Sequence, residues 1–161
     1  MLYLLDANVL IRAHEDYYPI DRVPQFWVWL LGLAEAGHAK LPFEIYHEIA
    51  VSTGPLKDWV SSSQVKKALV LEEEVHPDLL HRVLTQGYAP DLDDSELVKI
   101  GCDPMLVAYG LADSSRVVVT KEVSKPSKQR ANRKVPDVCN NVGVKWAKDF
   151  DFFRIMNFRI G

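Results

Sequence analysis

The stretch Leu2-Tyr3-Leu4-Leu5 is apolar without interruption and ends abruptly at Asp6-Ala7-Asn8. Such a run suits a strand buried inside a sheet, and Val9, Leu10 and Ala13 then recur at helical spacing. A buried strand that passes straight into a helix is the first unit of a layered α/β chain. Pro24 opens a second apolar helix through Phe26, Trp27, Leu30, Leu31 and Leu33, stopped by Gly37. Lys40-Leu41-Pro42 reads as a brief strand that leads into a helix from Phe43 to about Val51. Thr53-Gly54-Pro55 breaks the chain, and residues 56–87 read as helical in two or three pieces, the last from near Pro77 to Gly87.

Asp93 with Glu96 forms a capping-box pair for a further short helix. Asp103-Pro104 starts another, running to about Ala112, and Val117-Val118-Val119 is the clearest β-branched strand. A short helix from Pro136 to Asn141 and an apolar-periodic segment through Phe150, Phe153 and Ile155 complete the pattern. Strands separated by helices predict a parallel sheet covered on both faces, an α/β fold. With 161 residues and no composition shift, one domain over 1–161 is expected. Sites in such sheets lie beyond the carboxyl ends of the strands. Asp6 occupies one such end, and Thr120 with Glu122 another.

Several chemistries are missing their residues. No glycine-rich dinucleotide or P-loop motif follows a strand. His47-Glu48 begins a zinc-protease pattern, but Val51 stands where the second histidine belongs. No nucleophile elbow appears. An aspartyl-phosphate phosphatase would place a second Asp two residues after Asp6, where Asn8 stands. The five histidines show no ligand spacing, and the two cysteines, Cys102 and Cys139, form no CxxC pattern, which fits a reducing compartment. The N-terminus does not read as a signal peptide and no apolar run is long enough to span a membrane. A cytoplasmic location is expected. The chemistry must therefore rest on carboxylates.

Hard divalent cations take oxygen ligands, and acids from different elements can hold one or two of them while leaving room for a phosphate. Asp6 with Asn8 puts two oxygen-bearing groups at the sheet rim, although Asp6 also suits a helix N-cap. Glu44 and Glu48 share one helix face, and the pattern does not choose between a site ligand and a solvated carboxylate. Asp103 before Pro104 fits a plain N-cap equally, yet the helix behind it, Met105 to Ala112, is apolar and suited to burial. Thr120 suits a hydrogen bond to a ligand, and Glu122 competes with Asp137 for the place of a fourth acid.

The charge distribution supplies a partner. Residues 121–134 hold Lys121, Lys125, Lys128, Arg130, Arg133 and Lys134 against Glu122 alone, a net +5 in a chain whose total is −3. A basic loop on an acidic body steers a polyanion to one place, and these six side chains are its expected contacts. Asp16, Asp21 and Glu72-Glu73-Glu74 read as solvated surface. Phe26, Trp27 and Trp29 read as core or as a dimer face.

Leu5-Asp6-Ala7-Asn8-Val9-Leu10-Ile11, then Glu48, then Asp103 through Ala108, then Val118-Val119-Thr120 resemble the ordered acidic motifs of PIN-domain nucleases. The nearest likeness is to the VapC-like toxins of toxin–antitoxin systems. The resemblance implies a three-layer α/β/α sandwich with a central parallel sheet and a Mg²⁺- or Mn²⁺-dependent phosphodiesterase site cutting RNA. It assigns Asp6, Glu48 and Asp103 to the metal and matches Thr120 to the family's threonine after the late strand; Asn8 and Thr120 support the site, and the fourth catalytic acid stays open between Glu122 and Asp137. It further implies a cognate antitoxin protein and a homodimer. The chain departs from the family at Glu122, where Asp is commoner, and in the long basic insert before Pro136-Asp137-Val138-Cys139. A module of the same fold without catalysis and a DNA-directed nuclease with the same acids are the alternatives.

Overall fold

Five short strands form one parallel sheet in the computed structural model, which describes residues 1–161. They are β1 (Tyr3–Leu5), β2 (Ala39–Pro42), β3 (Val70–Leu71), β4 (Val117–Thr120) and β5 (Lys145–Lys148), in the spatial order β3-β2-β1-β4-β5. Every side chain of β1 and β4 is buried, as their unbroken apolar runs demand. Leu5 lies opposite Val119, and the Asp6 N–H extends the pairing by donating to the Val119 carbonyl at 2.9 Å. From β1 the chain builds outward to β2 and β3, then returns to the other side of β1 for β4 and β5. The β1/β4 boundary is therefore the switch point at which crevices form beyond the strand ends.

Ten α-helices flank the sheet, completing the three-layer α/β/α sandwich. They are α1 (Ala7–Arg12), α2 (Pro24–Glu35), α3 (Phe43–Ala50), α4 (Pro55–Ser61), α5 (Ser63–Leu69), α6 (Pro77–Arg82), α7 (Asp94–Ile100), α8 (Asp103–Leu111), α9 (Val135–Val142) and α10 (Asp149–Ile155). The last turns of α1 and α6 widen into π-helical segments, Ala13–Tyr17 and Val83–Tyr88. On one side α2 meets α10 through an aromatic cluster, with Phe26 and Phe153 at 5.1 Å between ring centroids and Trp29 and Phe152 at 5.8 Å. Phe26 and Trp27 are buried in the chain's own core.

The segment Val83–Tyr88 packs with α8 and α9. Two glycines permit the closeness. A Cβ on Gly110 would stand 2.8 Å from Val144 Cγ1 and 3.1 Å from Val118 Cγ2, and one on Gly87 would stand 2.6 Å from Val138 Cγ1. Glu73 lies at the surface as the sequence reads, and from there it takes an ion pair at 2.5 Å with the buried Arg116, whose other nitrogen donates to the Tyr109 carbonyl. No helix is long and apolar enough to cross a membrane.

Two strands escape the apolar pattern. β3 is two residues long and continues directly from α5, so it lies inside the stretch that reads as helical. β5 is an edge strand, Lys-Trp-Ala-Lys, whose residues are exposed or half-buried. Polar edges of this kind resist pairing with other chains, and they erase the hydrophobic signal.

Candidate active site

The turn from β1 into α1 places Asp6 at the sheet rim, 4% exposed. Asp6 stands at the N-cap position of α1, yet its carboxylate caps nothing. Its Oδ2 instead accepts from Thr120 Oγ1 at 2.9 Å and from Asn8 Nδ2 at 3.2 Å. Thr120, fully buried at the end of β4, accepts in turn from the Glu122 N–H at 3.1 Å and from Asn8 Nδ2 at 3.4 Å. Asn8 Oδ1 takes the Lys121 N–H at 3.0 Å. These bonds lock the two strand ends together across the switch point and use only one of the two Asp6 carboxylate oxygens. They are the physical content of the Asp-Ala-Asn spacing.

Asp103 opens α8 as its first residue, with Cys102 at the cap, and its side chain makes no capping bond. The plain-cap readings of Asp6 and Asp103 therefore do not describe this fold. Both carboxyls are held above the ordinary carboxylate range. Burial is the largest cause, followed for Asp6 by the nearby charges of Glu122 and Glu48, and for Asp103 by those of Asp6, Glu122 and Glu48. Four acids from four separate segments thus sense one another at the rim. Lys134 opposes this rise at Asp103. No three carboxylate, imidazole or thiol side chains meet at a common point.

The two competitions left by the sequence are decided by partners. Glu44 is taken by the Tyr109 hydroxyl, which donates to its two carboxylate oxygens at 3.0 and 3.1 Å. Glu48, one turn on, acts on the site and on the Cys102 thiol, which burial and the charges of Glu48, Glu44 and Asp103 push up to about 11. Asp137 is 4% exposed and accepts from Ser124 Oγ at 2.5 Å and the Lys125 N–H at 2.8 Å, so it braces the basic loop. Glu122 is the one that reaches the acids, with Oε2 tied to the Val135 N–H at 2.7 Å at the start of α9. Of the two candidates for a fourth acid, Asp137 thus has both oxygens engaged by the loop and Glu122 has one held by α9.

The basic loop does not act as one patch. Lys121 turns away from the acids to the buried Asp149 at 3.4 Å and lies 4.6 Å from the ring centroids of both Tyr17 and Phe150. Arg130, at φ +53°, pairs with Asp91 at 2.8 Å and with Glu96 at 2.9 Å, which fastens the loop to α7. Arg133 donates to the Gly87 carbonyl at 2.7 Å. Of the six basic side chains, Lys121 and Arg130 are thus paired with carboxylates of the chain itself. Lys125 and Lys128 stay exposed and Lys134 half-buried.

A cleft of about 230 Å³ joins the two chemistries: Asp103 and Glu122 on one wall, Lys128, Arg133 and Lys134 on another, and Lys99 from α7. Lys99 escaped sequence reasoning because a single lysine in an amphipathic helix carries no signal; its ammonium bonds Asn132 across the loop. A larger hollow of about 400 Å³ around Lys40 lacks any such convergence, since the ammonium is spent on the Ala34 and Ala68 carbonyls.

Residues 3–160 match a protein family described as a domain of unknown function, DUF4411. No curated protein and no solved structure matches the chain.

Proposed function

We propose that this chain, which belongs to the DUF4411 family, is a divalent-cation-dependent ribonuclease of the PIN type, working in the cytoplasm as the toxin of a toxin–antitoxin pair. The observation that carries the reading is the burial of Asp6 and Asp103 at the switch point of a parallel sheet, where burial first and then the charges of Glu122 and Glu48 raise both carboxyls. Burying like charges together is costly unless a cation joins them. The donors are hard oxygens throughout, which suits Mg²⁺ or Mn²⁺. Asp6, Glu48 and Asp103, which do not meet at a common point by themselves, would turn onto the ion to hold it, with Glu122 beside them. When bound, such an ion supplies an activated water and neutralises charge gathering on the phosphoryl oxygens.

The chain's own groups divide the remaining work. Thr120 and Asn8 fix Asp6 through its Oδ2 and leave its Oδ1 outside this network. Lys99, Lys128 and Lys134 line the side of the cleft where a phosphate backbone would run. Asp103 makes no capping bond and lines the cleft, so a carboxylate oxygen not bound to the ion would be placed to accept a proton from the attacking water. Glu122, anchored at Oε2, positions rather than shuttles.

Cleavage of matched single-stranded RNA, structured RNA and DNA, each with Mg²⁺, Mn²⁺ or EDTA, tests the proposal. RNA should be cut with either ion and not in EDTA, and Asp6→Asn or Asp103→Asn should abolish cutting. Cleavage unchanged in those variants refutes the site assignment; equal cutting of DNA refutes the RNA preference. Expression of the chain alone should arrest growth, and co-expression of a small protein encoded beside it should relieve the arrest.

A further inference from the structure

Tyr88 ends the π-helical segment that follows α6, is 7% exposed, and its hydroxyl is buried with no hydrogen-bond partner. A buried phenol normally finds one. Its charged surroundings are Asp103, Glu122 and Asp6, with Cys139 beside them, and together with burial they hold the phenol far into its neutral form. A neutral phenol is a hydrogen-bond donor. Asp103, the nearest of these in effect, is an acceptor with no capping duty at the mouth of α8, and α8 packs against the segment that carries Tyr88. The hydroxyl is thus an unused donor on a segment packed against the helix that Asp103 opens.

The backbone around Tyr88 is held rigidly. Gly87 approaches Val138 more closely than a Cβ would allow, its carbonyl takes Arg133 Nη1 at 2.7 Å, and the Ala89 N–H donates to Leu84 O at 3.0 Å. The segment that carries the phenol is therefore fixed, and no capping bond holds the Asp103 side chain in another orientation. We propose that Tyr88 is a positioning residue of this site: its hydroxyl donates to the Asp103 carboxylate and sets the orientation in which the other oxygen faces the cleft. The proposal rests on the nuclease reading for its consequence but not for the contact itself. Partners that orient ligating groups matter to a metal site nearly as much as the ligands do.

Two measurements on the full chain separate the contact from its use. In EDTA, thermal melts of wild type, Tyr88→Phe, Asp103→Ala and the double variant form a cycle. If the hydroxyl bonds Asp103, Tyr88→Phe lowers Tm by about 3 °C in the wild-type background and by under 1 °C beside Asp103→Ala. If the hydroxyl stays unpaired, Tyr88→Phe is neutral or stabilising in both backgrounds, and the proposal is overturned. Calorimetric Mn²⁺ titration should then show Tyr88→Phe binding about tenfold more weakly than wild type, with unchanged far-UV circular dichroism. Mn²⁺ affinity within twofold of wild type overturns the positioning role. A wild type that binds no Mn²⁺ refutes the nuclease reading instead, and the melting cycle still decides the contact.

Discussion

Thr120→Val tests the architecture of the site most directly, because the two side chains have the same shape and only the hydroxyl is lost. Thr120 is fully buried, so no water replaces what is removed. Its hydroxyl donates to Asp6 Oδ2 at 2.9 Å and accepts from the Glu122 N–H at 3.1 Å, with a weaker third bond from Asn8 at 3.4 Å. A hydrogen bond to a carboxylate contributes about 1.5–3 kcal/mol and one between neutral groups about 0.5–1.5 kcal/mol. Together they predict a loss of about 3 kcal/mol, which in a chain of this length lowers Tm by roughly 6–12 °C. Thr120→Ser is the control: it keeps the hydroxyl and gives up one methyl, about 1 kcal/mol. Calorimetric melts of the three proteins in EDTA at pH 7 read the difference. A Thr120→Val protein that melts at or above Thr120→Ser would refute the claim that this hydroxyl ties the two strand ends together.

Further outcomes follow from the same geometry. The Asp6 and Asp103 carboxyls bind protons more tightly folded than unfolded, so the stability they contribute is full below about pH 4 and fades as pH rises through neutrality. In EDTA, wild type should therefore lose stability relative to Asp103→Asn between pH 5 and pH 8, and Mn²⁺ should raise Tm more at pH 8; parallel pH profiles for the two proteins would contradict this. Glu48→Gln should reduce cleavage strongly whereas Glu44→Gln, which disturbs only the Tyr109 contact, should leave it within a few-fold, as initial rates on one RNA will tell. Lys128→Ala and Lys134→Ala should each weaken RNA binding and flatten its salt dependence by about 0.7 in log–log slope. Arg130→Ala should leave that slope unchanged, since Arg130 is already paired. Gly110→Ala should cost about 1–3 kcal/mol in urea unfolding, because its methyl would meet Val144 at 2.8 Å.

Local pattern carried much of the fold. Uninterrupted apolar runs at β1 and β4 demand burial on both faces, and prolines at Pro24, Pro104 and Pro136 mark helix starts, whatever the rest of the chain does. Asp6 could be singled out for the same reason, since a strand end and the Asn two residues on are local facts. What the tertiary structure alone decided were choices between equivalent groups. Glu44 and Glu48 lie on one helix face, and Tyr109, 65 positions away from Glu44, takes the first and leaves the second. Glu122 and Asp137 are both acids of the same loop region, separated by whether Val135 or Ser124 and Lys125 meet them. The +5 loop reads as one patch in sequence, yet Asp149, Asp91 and Glu96 cancel two of its charges in space. Tyr88 carried no sequence signal at all. Periodicity reports which face of an element is buried; which charge a buried group meets depends on residues brought together from opposite ends of the chain.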